Sequence, residues 1–332
     1  MQQEPTFVGI DISKLTLDIC IRQGTSKEHY VIDNEPVAIK TFFTPVLALK
    51  SGSLHIGMEN TGCYNYHLYE MLSELDVVYY VIPPIHLKKS LGLTRGKNDK
   101  IDAFRIAGFL ETNLKNMAAY IPLRPVLMQL QLLLTTRSQR IKIKKQVQAA
   151  KEHYQYTGDN NNELLNLDNE LISSIDAQIK VIEKKIQELI SADSKLNKVY
   201  QLITSVPGVG KVLACNLLVR TGEFGAISDP RKLACYAGVA PFDHRSGTSI
   251  RGKSRVSHHA DKDLKMLLHL ASMSVIRLSG DMRDYYQRKV AEGKNKMSVL
   301  NAVRNKIIHR IYAVLKNQRP YQIFLSDNLV VS

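Results

Sequence analysis

The chain lacks any apolar run approaching the roughly 18 residues a membrane-spanning helix requires. It also lacks a CxxC pair. Its four cysteines, Cys20, Cys63, Cys215 and Cys235, are scattered through apolar segments, so they read as reduced core residues rather than as zinc ligands or disulfide partners. His244, His258 and His259 show no metal-ligand spacing and read as polar loop residues or phosphate contacts. The polar start MQQEP passes straight into a short apolar stretch. No signal peptide is expected, and the expected location is the cytoplasm, at the nucleoid when the protein acts. Acid is scarce: 31 Asp and Glu stand against 45 Lys and Arg, for a formal charge of +14 and a pI near 9.5. That excess favours a polyanionic partner, nucleic acid first, and no membrane is expected as partner.

What is present supports a folded protein of two or three parts, since 332 residues with 44% hydrophobic content can bury a substantial core. The first 125 residues alternate strand and helix patterns. Three short runs rich in β-branched residues, FVGIDI (7–12), LTLDICI (15–21) and YVID (30–33), have short linkers and predict an antiparallel meander. A helix over 36–49, a strand over 54–59, a helix over 64–75, a strand over 77–82 and a helix from Asp99 to about Leu114 come next, with the later strands expected to be parallel. This is the element order of the ribonuclease H-like fold, shared with sugar kinases and actin-like ATPases, so function must be argued from the site.

From about 126 to 200 the chain reads as helical. Six basic residues, among them Arg137, Arg140, Lys144 and Lys145, fall between positions 137 and 151 with no acid among them, either a solvated face or a rail for phosphates. Beyond the polar break TGDNNN, apolar residues recur every three or four positions from Leu164 to Leu189, a coiled-coil or helical-hairpin stripe that could pack within the chain or serve as a dimerisation arm. The remaining part, 201–325, reads as mostly helical with a Gly, Ser and Arg-rich interruption over 238–257.

Three constellations carry chemistry. The first is acidic: Asp11 in VGIDISK, Glu59 in GMENTG, and Asp99 with Asp102 in KNDKIDAFRIA. Each alone has an ordinary explanation, such as a turn or the cap of a helix. Together, the expected topology brings Asp11 and Glu59 to neighbouring strands and sets Asp99 and Asp102 on one helix face above them. Converging carboxylates repel unless divalent cations hold them, and magnesium, a hard ion that accepts carboxylate oxygens and leaves room for phosphate, is the expected cofactor, with two ions per site. Lys14, Arg95 and Lys97 flank these acids and are candidate nucleic-acid contacts. The second is SVPGVGKVLACNLL, where Gly208, Gly210 and Lys211 resemble the turn of a helix-hairpin-helix element that meets a phosphate backbone at a helix N-terminus. The third is KLACYAGVAPFDHRSGTSIRGKSRVSH, in which Ser246 precedes Arg251, Lys253 and Arg255 in an expected flexible loop. Ser249, Ser254 and Ser257 compete with Ser246 for any catalytic role.

These motifs, in this order over nearly the whole chain, resemble the insertion-sequence 110 (1111) family of transposases, to which Piv-type DNA invertases are related. The resemblance implies a RuvC-like domain (1–125) in which Asp11, Glu59, Asp99 and Asp102 bind magnesium, a helical coiled-coil linker (126–200), and a mostly helical transposase domain (201–325) in which Ser246 is the nucleophile. It further implies a covalent serine–DNA intermediate, donor and target DNA as partners, assembly of dimers to tetramers whose active sites combine domains of different subunits, and guidance by a noncoding bridge RNA. A Piv-like invertase acting without guide RNA is the alternative within this class. An actin-like or sugar-kinase-like phosphotransferase would need a second Gly-rich phosphate loop, which the sequence does not contain.

Overall fold

The computed structural model describes residues 4–48, 53–90, 98–156, 162–240, 242–246, 250–255 and 260–322. They form two compact units, Met1–Pro122 and Leu123–Ser332. The first contains strands β1 (Thr6–Ile12), β2 (Thr16–Gln23) and β3 (Ser26–Asp33), helix α1 (Pro36–Ala48), strand β4 (Leu54–Glu59), helix α2 (Tyr66–Glu74), strand β5 (Tyr79–Ile82) and helices α3 (Pro84–Ser90) and α4 (Asp99–Asn113). The sheet order is β3-β2-β1-β4-β5. β1, β2 and β3 pair antiparallel, while β4 runs parallel to both β1 and β5. The expected meander and parallel crossovers are therefore both present, in one mixed sheet.

Strand alternation gives the sheet two different faces. Val8, Ile10 and Ile12 of β1 join Leu17 and Ile19 of β2 in a core with Ile39 and Phe43 of α1 and Leu68 and Leu72 of α2. The opposite face is narrow at its centre, because α4 lies against it at two glycines. A β-carbon at Gly9 would stand 2.2 Å from the Ala103 carbonyl oxygen and 2.3 Å from the Ala107 nitrogen, and one at Gly57 would meet Leu110 at 3.0 Å. Real β-carbons do not approach backbone that closely, so α4 can sit at this height only over glycine. Gly9→Ala is expected to lower the unfolding free energy of this unit by about 3 kcal/mol, the upper part of the range for forced overpacking. A shift of the urea midpoint at unchanged slope would measure it, and an unshifted midpoint would mean that α4 yields freely.

Among its described residues, the second unit is helical apart from one two-stranded ribbon and the connecting turns. Its elements are α5 (Pro125–Tyr156), α6 (Asn162–Ala192), α7 (Ser194–Thr204), α8 (Lys211–Thr221), α9 (Pro230–Tyr236), β6 (Phe242–Ser246), β7 (Ile250–Arg255), α10 (Lys262–Val275), α11 (Asp281–Ala291) and α12 (Lys296–Asn317). The segment 126–200, expected as a middle piece, shares one core with the helices after it. Leu127 and Leu130 of α5 and Ile182, Ile186 and Ile190 of α6 cluster with Leu218 of α8 and Ile307 of α12. Arg124 locks this junction, with its Nε 2.8 Å from Glu223 and an Nη 2.8 Å from Asp193, the N-cap of α7. Strands β6 and β7 pair antiparallel where the sequence predicted a flexible loop. No helix among the described residues is long and apolar enough to cross a membrane.

Candidate functional site

The acidic constellation assembles at one end of the α4-facing side of the sheet. Gly9 and Asp11 alternate onto the same face of β1, as Gly57 and Glu59 do on β4, and Gly9 pairs with Gly57 in the parallel register. Asp11 and Glu59 therefore stand next to each other two residues further along. Asp99 and Asp102 occupy the first turn of α4. Capping does not account for Asp99, because Asn98 is the N-cap and its side chain accepts from the Lys100 amide at 3.0 Å. Burial, and after it the charges of Asp102, Asp99, Glu59 and Asp18, push the Asp11 carboxyl up to about 6. Four other carboxylates thus act on one that is itself half-buried.

Asp18 was not among the residues singled out from sequence. It pairs with Asp11 across β1 and β2, is buried, and accepts from the His29 ring, Nε2 to Oδ1 at 2.8 Å. His29 in turn stacks on Phe104 of α4. The available signal was an aspartate in an otherwise apolar strand, LTLDICI, placed opposite Asp11 by a short turn. Lys14 lies exposed in that turn, at the same end of the sheet. Arg95 and Lys97 lie outside the described residues.

All four tetrad donors are carboxylate oxygens, a set that suits a hard divalent cation. Asp102 is bonded to Arg105 at 2.8 Å, and among the described residues no three acidic, imidazole or thiol groups already stand close enough to hold one ion.

In the second unit the sequence-predicted contacts divide. Gly208 takes a left-handed backbone with φ +88°, and a β-carbon there would lie 2.7 Å from the Ala271 carbonyl. Its lack of a side chain is demanded by α10, not by an approaching phosphate. Gly210, the N-cap of α8, faces open space and makes no side-chain cap, with Lys211 exposed beside it. On α5, Arg137 pairs with Glu183 at 2.7 Å and Lys144 with Asp176 at 2.6 Å, while Arg140 donates to Gln178 at 2.7 Å. The expected basic rail is thus largely turned onto α6, and of the four named residues Lys145 stays exposed.

Ser246 is the last residue of β6, opposite Ile250. Arg251, Lys253 and Arg255 lie on β7. Ser249 and Ser257 lie outside the described residues. The excursion that carries the ribbon is closed at its neck: the Asp261 amide donates to the Tyr236 carbonyl at 2.9 Å, and the Tyr236 hydroxyl and Arg220 Nε both reach the Asp261 carboxylate, at 3.2 and 2.5 Å.

Comparison with known proteins matches residues 8–153 to a family described as a transposase, the DEDD transposase of IS110, and residues 200–287 to the transposase IS116/IS110/IS902 family. The chain belongs to this family of transposases. It is an enzyme that processes DNA, a DNA recombinase. A pilin gene-inverting protein of Moraxella lacunata is 28% identical over 95% of this chain and 97% of its own. The transposase for insertion sequence element IS1111A of Coxiella burnetii is 24% identical over 95% of this chain and 91% of its own. Among solved structures, T. thermophilus RuvC in complex with a Holliday junction substrate overlaps 35% of the transposase and 99% of its own chain, at 13% identity and a TM-score of 0.28.

Proposed function

We propose that this transposase exchanges DNA strands through a covalent link between Ser246 and a DNA phosphate, assisted by magnesium held by Asp11, Glu59, Asp99 and Asp102. The observation that carries the reading is the convergence of the tetrad at one sheet end, where the mutual repulsion of the acids acts on Asp11. Magnesium, when bound, would stabilise the charge that develops on the attacking and leaving oxygens of the phosphodiester. For the protein's own groups the consequence is a rearrangement: the four carboxylates must draw closer than they stand here, while Asp102, bonded to Arg105 through one oxygen, has the other to offer.

The seryl oxygen forms a bond to phosphorus as the bond from phosphorus to one deoxyribose oxygen breaks. The seryl proton departs, and the released deoxyribose oxygen takes one up. One phosphodiester replaces another, so the broken strand keeps its bond energy and can be rejoined to a different end without ATP. Arg251, Lys253 and Arg255 come after the serine on the adjacent strand and supply positive charge for the DNA backbone, as do Lys14, Lys145 and Lys211 elsewhere on the chain.

Two to four copies form the working assembly. Leu164, Leu167 and Leu171 at the start of α6 are 40, 56 and 46% exposed, whereas Ile175, Ile182, Ile186 and Ile190 further along the same stripe are buried. The stripe thus serves the hairpin at one end and leaves leucines for another copy at the other. By family resemblance, domains of different copies combine on one DNA end and a noncoding bridge RNA selects the sites.

The test is purification from cells that carry the native flanking DNA, then sequencing of the co-purifying nucleic acid and addition of magnesium and DNA bearing the element ends. A discrete RNA from the flank and a protein–DNA adduct mapped to the Ser246 peptide are expected. Absence of the RNA, with adducts still formed, would favour an unguided invertase like the Moraxella relative. Adducts on another peptide would displace Ser246.

A further inference from the structure

Arg304 of α12 is 5% exposed, and no carboxylate pairs with it among the described residues. Its Nε has no hydrogen-bond partner, and burial alone pulls its basicity below that of an ordinary guanidinium. A buried cation without a counter-charge destabilises a fold, and apolar side chains of similar volume commonly do better in such places. What the guanidinium does make are two contacts in different directions. One Nη donates to the Asn301 side-chain oxygen at 3.3 Å. The other lies 2.7 Å from Nδ1 of His269 on α10.

Both contacts lead to the excursion that carries Ser246. Asn301 uses its amide to donate to the Val239 carbonyl at 2.6 Å. Val239 is buried and comes three residues before β6 begins. His269 sits on the helix into which the excursion returns. The neck at Tyr236 and Asp261 fixes where the chain leaves and re-enters the helical body. The Asn301 and His269 contacts add a second attachment, above the neck on the outgoing side and on the returning helix.

We propose that Arg304 is a positioning residue for the Ser246 ribbon, holding the Val239 root through Asn301 and α10 through His269 so that the ribbon stands in one orientation. The role needs the fork of a guanidinium, whose planar donors point along two fixed directions, and a flexible ammonium cannot supply it. The proposal rests on the reading of Ser246 as nucleophile, and its test separates the two.

The experiment compares full-length wild-type protein with Arg304→Met, Arg304→Lys and Asn301→Ala. Melting temperature, amide hydrogen exchange and the rate of DNA strand exchange are measured on each. Arg304→Met is expected to melt at or above the wild-type temperature, because it removes an uncompensated charge. Exchange of amides over 242–246 and 250–255 is expected to rise about tenfold or more, with α8 and α12 unchanged. Strand exchange is expected to fall about a hundredfold. Asn301→Ala should share the ribbon effect at lower amplitude, and Arg304→Lys should fail to restore the wild-type rate.

Ribbon exchange within twofold of wild type in Arg304→Met would overturn the proposal. So would a lowered melting temperature with faster exchange spread through α10 and α12, which would reduce Arg304 to a packing residue. The nucleophile is read independently, from the peptide that carries the DNA end. An adduct on a residue outside the ribbon would remove the Ser246 reading, while the exchange data would still decide the clamp.

Discussion

Asp11→Asn is expected to abolish magnesium-dependent strand exchange, by on the order of 10^3-fold, the scale seen when a single group aimed at developing charge is removed. It should do so without unfolding the protein. In the metal-free state the Asp11 carboxyl titrates near 6, above the value near 3.9 of an unfolded chain. Below about pH 4 the group is protonated in both states and costs nothing. Between about 4 and 6 the unfolded chain loses its proton first, so stability falls, and above about 6 the whole penalty is present. With allowance for partial solvent screening that penalty is on the order of 2 kcal/mol. In thermal melts at pH 7.5 without metal, Asp11→Asn should therefore unfold above wild type, and magnesium should raise the wild-type midpoint but not that of the variant. Strand exchange by the variant at the wild-type rate would remove the metal from the mechanism.

Ser246→Ala should leave DNA binding intact and eliminate covalent adducts, with strand exchange reduced by roughly 10^4-fold or more, since loss of a nucleophile has no partial substitute. The measurement is a denaturing gel of protein incubated with end-labelled DNA and magnesium. Adducts that persist in Ser246→Ala and vanish in Ser249→Ala would move the nucleophile by three residues. Weaker DNA binding at equal salt in the alanine variant would instead make the hydroxyl a contact residue. The contrast with Asp11→Asn is informative because the aspartate change should spare folding and lose metal response, whereas the serine change should spare both.

The sheet and the tetrad were legible because strands announce themselves by alternation and because adjacency comes from topology: once β1 and β4 are neighbours, Asp11 and Glu59 must be too. Asp102 could be placed from helix spacing. Other features depended on partners far along the chain. Gly208 carries the mark of a phosphate turn in sequence, yet the atom that excludes a side chain there belongs to Ala271. Arg137 and Lys144 look like a free basic face until α6 folds back and offers Glu183 and Asp176. The β6–β7 ribbon escaped the pattern because FDHRS and IRGKSR are largely polar, so no apolar period distinguishes a two-stranded ribbon from a loop. Arg304 had no signal at all, because a buried arginine in an amphipathic helix reads as a surface one.

The closed neck at Tyr236 and Asp261 has a consequence for how such proteins diversify. A segment whose two ends are joined by a backbone hydrogen bond and a shared carboxylate confines its demand on the helices beneath it to its root, where Ala237 and Val239 are buried in the helical core. Insertions, deletions and exchanges that begin after Ala240 and end before Asp261 would change what is presented while leaving that buried root in place. The segment is therefore a cassette. Grafting it from one relative to another at these two residues, with the Arg304, Asn301 and His269 supports carried along, is the natural unit for building hybrids of altered behaviour.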